Sequence, residues 1–275
     1  MGKVARFLSI VVLLVLVLVS AAPTPTSRYP RSMAAIGDSI TRAFSACCGF
    51  GDHPVHSWSS GDSGNDGVVS HYERLLRLQP AISGRNYNNS RSGAKVAEIP
   101  AQAAVAASQK AAYVTVLVGA NDLCASSAHT MTTEADFTAA VDGALAILDR
   151  MRPRPKVFVS SIPDLYQLWA VLHTDPAAQA AWSGGSICPS MLSASNSEET
   201  RQLVVQRQAA FNAILSGSCA AYSGMCRSDG GAVYGYKFTA SDVSVLDYFH
   251  PSLEGQNKLA GITWDAVWQE GTLTS

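Results

Sequence analysis

Met33-Ala34-Ala35-Ile36-Gly37-Asp38-Ser39 opens the folded part of this sequence. Small and apolar residues run straight into a glycine, as in a short buried strand that stops at a turn. A second run, Tyr113-Val114-Thr115-Val116-Leu117-Val118, is richer in β-branched residues and stops at Gly119 in the same way. Strand and helix patterns alternate around these two. Residues 85–88 read as a weak strand, and residues 156–161 and 233–238 as further strands, the last of them at 233–238. Between them, Val68, Tyr72, Leu75, Leu76 and Leu78 have helical spacing, and residues 101–110 follow Pro100 as a helix. Thr133 caps a helix carrying Ala139, Ala144, Leu145 and Leu148, and Asn196 with Glu199 has capping-box spacing before Val204, Phe211, Ile214 and Leu215. Residues 253–268 close the chain as a helix. Such alternation implies a parallel sheet with helices on both faces, joined by right-handed crossovers. Ligands in open sheets of this kind bind beyond the carboxyl ends of the strands, where the strand order switches.

The 275 residues are 47% hydrophobic, enough for a substantial core in one α/β domain. A formal net charge of −1 gives no footprint for nucleic acid or for an anionic membrane surface. The N-terminus reads as a processing segment. Lys3 and Arg6 precede an apolar run over residues 7–19, and Val19-Ser20-Ala21 offers small residues for cleavage. The run is shorter than the ~20 apolar residues of a spanning helix. Residues 1–21 are therefore expected to be a signal peptide, residues 22–32 a Pro/Thr/Ser-rich linker, and residues 33–275 the single folded domain of an exported protein. Export makes disulfides the expected state of Cys47, Cys48, Cys124, Cys188, Cys219 and Cys226. Spacing favours Cys219 with Cys226 across a short loop, and Cys124 with Cys188 between loops that follow successive strands. Cys47 and Cys48 are left, adjacent in the chain, where a direct bond would be strained.

Ser39, Gly93 and Asn121 each follow a proposed strand and would meet at one edge of the sheet. Ser39 offers a hydroxyl nucleophile. A second Gly-Asp-Ser, at Gly61-Asp62-Ser63, has no strand before it and nothing to hold its hydroxyl rigidly. Of the six histidines, only His250 has an aspartate three residues earlier, so Asp247 can orient one imidazole nitrogen while the other faces Ser39. The Asn121 amide and the Gly93 backbone N–H can donate to an oxyanion. Each feature alone has an ordinary structural explanation, such as a helix cap or a turn. Together, and in order, they supply the parts that acyl-ester hydrolysis needs. No Gly-x-Ser-x-Gly elbow occurs, which argues against the α/β-hydrolase fold.

The four blocks Gly37-Asp38-Ser39, Asn88-Asn89-Ser90-Arg91-Ser92-Gly93, Gly119-Ala120-Asn121-Asp122 and Asp247-Tyr248-Phe249-His250 resemble those of the SGNH (GDSL) hydrolases. The resemblance implies a three-layer α/β/α sandwich with a five-stranded parallel, flavodoxin-like sheet. It also implies a catalytic triad of Ser39, His250 and Asp247, and an oxyanion hole of the Ser39 N–H, Gly93 and Asn121. Ser57-Trp58-Ser59 and Ser92-Gly93-Ala94-Lys95 are similar to phospholipase B-like members and to secreted bacterial lipases.

The expected activity is that of a secreted, monomeric esterase or lipase. Its partner would be a small-molecule or lipid ester, with transient contact at a lipid surface, and it would need no cofactor or metal. Deacetylation of a carbohydrate on the same fold, or non-catalytic binding, are the competing readings. Residues 164–182, with Leu165 and Trp169, read either as core-packed helix or as an acyl-binding wall. Asp62, Asp66, Gly67 and Glu73 approach a calcium loop but have Gly64 where an oxygen ligand belongs. Asp52, His53 and His56 lack a fourth metal ligand.

Overall fold

The computed structural model describes residues 28–268, so the proposed signal peptide, residues 22–27 of the proposed linker and residues 269–275 lie outside it. Five strands, β1 (Met33–Gly37), β2 (Asn86–Asn88), β3 (Tyr113–Leu117), β4 (Lys156–Val159) and β5 (Cys226–Ser228), form one parallel sheet in the order β2-β1-β3-β4-β5. The described helices are α1 (His71–Leu78), α2 (Ile99–Ser108), α3 (Ala120–Leu123), α4 (Glu134–Asp149), α5 (Leu165–Leu172), α6 (Pro176–Gly184), α7 (Pro189–Leu192), α8 (Glu198–Ala221), α9 (Ala232–Gly235) and α10 (Leu253–Trp268).

Alternation along the strands sorts the core into two layers. Ala34, Ile36, Val114, Val116, Val157 and Val159 face one way, into a cluster with α2, α4 and α8. Met33, Tyr113, Leu117 and Phe158 face the other, against Trp58, α1 and α10. The result is the expected α/β/α sandwich. In the second layer His71 is wholly buried between the Tyr113 and Thr263 hydroxyls, both at 2.9 Å. Burial, reinforced by the Arg74 charge, pushes its pKa down to about 3.

Local chemistry fixes the start of several helices. Ser70 and Glu73 close a reciprocal capping box on α1. Thr133 caps α4, accepting the Asp136 N–H. The cap of α8 is Ser197, which accepts the Thr200 N–H, one residue beyond the Asn196 box. Asn196 instead gives its amide to the carbonyls of Pro189 and Ser190.

The strand expected at residues 233–238 does not form. Gly230 and Gly231 both take positive φ, and Asp229 accepts the Val233 N–H, so the chain turns into the short helix α9. The fifth strand lies earlier, at Cys226–Ser228, beside the Cys219–Cys226 disulfide that ties it to α8. The fold also starts before Met33. Tyr29 packs on Trp268, and the Ser32 hydroxyl bridges the Lys110 carbonyl and the Ala112 N–H, so residues 29–32 of the proposed linker join the domain. Cys124–Cys188 and Cys219–Cys226 are paired as spacing favoured, and Cys47 is bonded to Cys48.

Gly37 ends β1 opposite Leu117 with φ 143°. A Cβ there would overlap the Leu117 carbonyl oxygen, while Gln102 holds both the Gly37 N–H (2.7 Å) and carbonyl (3.0 Å). Gly37→Ala should therefore cost about 3 kcal/mol, lowering Tm by roughly 6–12 °C. A calorimetric Tm equal to that of the wild type would contradict this tight contact between strands.

Candidate active site

The switch in strand order falls at β1, between β2 and β3, and the chain leaves these strands through the three motif loops. Ser39, Gly93 and Asn121 line one cleft with Asp247 and His250. His250 Nε2 lies 2.8 Å from Ser39 Oγ, and His250 Nδ1 lies 2.8 Å from Asp247 Oδ2. An ionised carboxylate can only accept, so Nδ1 carries the proton and Nε2 is left to accept from the serine hydroxyl.

The Asp247 carboxylate also organises the turn that bears the histidine. Its Oδ1 accepts the N–H groups of Phe249 and His250, each at 2.9 Å. Burial by itself would raise the Asp247 pKa, but the hydrogen bond and charge of His250, with these two amides, outweigh it and hold the pKa below the ordinary value. The turn is strained at Tyr248, where φ is 56°. Trp182 on α6 donates its indole N–H to the Tyr248 carbonyl at 2.9 Å. The Ser244 hydroxyl reaches the Ser45 carbonyl at 2.5 Å, lacing the histidine loop to the serine loop.

Asn121 gives one amide proton to the Ala94 carbonyl at 3.0 Å, which fixes the side chain and leaves its second N–H for the cleft. Asp122 accepts the Val96 N–H (2.9 Å) and the Thr132 hydroxyl (2.7 Å), holding the Gly93 loop against the Asn121 helix. Gly93 has φ 79°, a conformation that favours glycine.

Phe44, Phe50, Ile187 and Phe249 add apolar walls to the cleft, and none of the four stood out in the sequence. The aromatic pair Phe44 and Phe50 in a Gly-rich stretch just after the serine block was the available signal. Trp169 lies outside the cleft, stacked on His173 and under the Arg201 guanidinium of α8. Leu165 lines a separate apolar pocket behind the cleft. The part of the 164–192 region that reaches the cleft is Ser186, Ile187 and Cys188, anchored by the Cys124 disulfide.

The carboxylates of the near-calcium loop serve protein donors. Asp66 holds His56 (2.5 Å) and the Val68 N–H, Glu73 takes Gly64 N–H and Ser70 N–H, and Asp62 takes Asn86. Asp52 pairs with Arg42 and the Ser92 hydroxyl, and His53 with the Gly49 carbonyl. His56 lies beside Cys47 and Cys48, whose sulfurs are bonded to each other.

The sequence matches the GDSL-like lipase/acylhydrolase family over residues 35–258, and the chain belongs to that family. No curated protein matches it. Among solved structures, a catalytic mutant of an acetylxylan esterase from Geobacillus stearothermophilus is similar at 16% identity and TM-score 0.52, covering 89% of this chain and 97% of that one. A family 3 carbohydrate esterase of Clostridium thermocellum shares 14% identity (TM-score 0.47; 85% and 93% coverage), and an extracellular lipase of Streptomyces rimosus 14% (TM-score 0.46; 84% and 99%). The first of these likenesses supports the fold.

Beneath the serine, Asp38 is fully buried. One carboxylate oxygen accepts the Ile40 N–H at 3.0 Å and the other meets no partner among the described residues. Burial pushes its pKa up to about 7; the Ile40 amide opposes the shift and the nearby Asp122 adds to it. An unfolded chain releases this proton near pH ~4. The folded state binds the extra proton between these values, so Asp38 makes stability fall as pH rises from about 4 to 7. The Tm of Asp38→Asn relative to wild type should therefore climb across that range in calorimetry; a constant difference would reject the assignment.

Proposed function

We propose that this chain is a secreted serine esterase that hydrolyses carboxylic esters, chiefly of lipids, through Ser39, His250 and Asp247. The observation that carries the reading is the unbroken hydrogen-bonded line from Ser39 Oγ through His250 to Asp247, opening into a cleft walled by aromatic and aliphatic side chains.

His250 Nε2 takes the Ser39 proton as Oγ attacks the ester carbonyl. Asp247 stabilises the imidazolium that results. The Ser39 and Gly93 N–H groups and the second Asn121 amide proton stabilise the tetrahedral oxyanion. The imidazolium protonates the departing alcohol, giving an acyl-enzyme. His250 then activates a water that releases the acid. These steps draw on side chains and backbone amides alone, in a monomer whose partner is its ester substrate.

The apolar cleft walls favour acyl chains over the short acetyl groups of a polysaccharide, the alternative substrate for the same machinery. The three disulfides and the apolar N-terminal segment support secretion, and transient contact with a lipid surface follows from a lipid substrate. Among the described residues no helix is long and apolar enough to cross a membrane.

Ser39→Ala should abolish hydrolysis of nitrophenyl esters with circular dichroism and Tm unchanged; residual turnover near the wild-type rate would name the wrong nucleophile. Asn121→Ala should lower kcat by about 10²–10³ through loss of one oxyanion donor. A loss confined to KM would place Asn121 in ground-state binding.

A further inference from the structure

Behind the catalytic cleft lies a second, almost wholly apolar pocket of about 60 Å³, against about 280 Å³ for the cleft itself. Its walls are the chain neighbours of the catalytic groups. Ile40 follows Ser39, Ala120 precedes Asn121, and Phe249 and Pro251 flank His250. Leu165 and Leu168 of α5 close the far side. Among the described residues, Phe249 alone lines both spaces.

The Phe249 backbone is fixed, since its N–H is bonded to Asp247 Oδ1, but its ring is half-buried and stands edge-on to His250 at 5.0 Å between centroids. The ring can therefore move by side-chain rotation alone, without disturbing the turn that carries the histidine. The polar residues at the pocket margin are occupied. Asp164 caps α5, and Asp242 binds Lys258 and the Thr239 N–H. The interior that remains offers no hydrogen bonds and suits hydrocarbon.

We propose that Phe249 sets the acyl length this site accepts: its ring partitions the cleft from the inner pocket, and acyl chains longer than acetyl displace the ring and extend into the pocket towards Leu165 and Leu168. This rests on the esterase reading above and deepens it, making fatty-acyl esters the preferred substrates. The aromatic wall then acts on the acyl part of the substrate and leaves the alcohol part to the open side of the cleft.

The experiment compares kcat/KM for nitrophenyl acetate, hexanoate and decanoate in wild type, Phe249→Ala and Leu168→Trp. Truncating the ring should raise the decanoate-to-acetate ratio at least fivefold, and filling the pocket at residue 168 should lower it by a similar factor. Ratios within twofold of wild type in both variants would overturn the proposal. Decanoic acid binding to the Ser39→Ala protein, with and without Leu168→Trp, gives a readout independent of turnover. Titration calorimetry should show at least fivefold weaker binding in the filled variant, and equal affinities would again overturn the proposal. Absence of ester hydrolysis in the wild type, by contrast, would defeat the esterase reading, and the binding measurement would still decide the role of the pocket.

Discussion

Asp247 is the point on which the candidate site turns. One buried carboxylate accepts the imidazole N–H of His250 and the backbone N–H groups of Phe249 and His250. A single charged group thereby fixes the tautomer, the ring orientation and the backbone of the loop that brings the histidine to Ser39, across 211 positions of sequence. The strained Tyr248 conformation persists because this carboxylate on one side and the Trp182 indole on the other hold it in place. Charge, hydrogen bonding and backbone geometry are thus coupled, and removing the carboxylate would disturb all three.

The other residues of the candidate site are placed first of all by the sheet. Parallel strands all end on the same side, so loops that follow β1, β2 and β3 meet wherever those strands are neighbours. Gly37 permits β1 to end hard against β3, and Gln102 satisfies the backbone groups left at that end. Asn121 and Asp122 then tie the second and third loops together through Ala94 and Val96. The cleft is a by-product of strand order stabilised by a few polar contacts.

These features differ in how far the sequence revealed them. Ser39, Gly93, Asn121, Asp247 and His250 stood out because each lies in a short motif after a strand or before a helix, and local pattern is enough to read such signals. The strand at 226–228 did not, because it is three residues long and is held in the sheet by pairing with β4, some seventy residues away, rather than by any local pattern. Residues 233–238 looked more strand-like, yet two glycines and an aspartate cap turned them into a helix start. The separation of Trp169 from the cleft was equally hidden. Helical spacing shows which residues share a face, but not which neighbour that face meets; here Trp169 meets Arg201 of α8. Phe249 sat in plain view beside His250, but only the fold reveals that it borders two spaces.

The margins of the sheet have a consequence for solution behaviour. Both outer strands, β2 and β5, are three residues long. An incoming chain would find too few unpaired amides and carbonyls on either border to nucleate intermolecular β-pairing. Brevity at both borders therefore works against edge-to-edge association of the sheet.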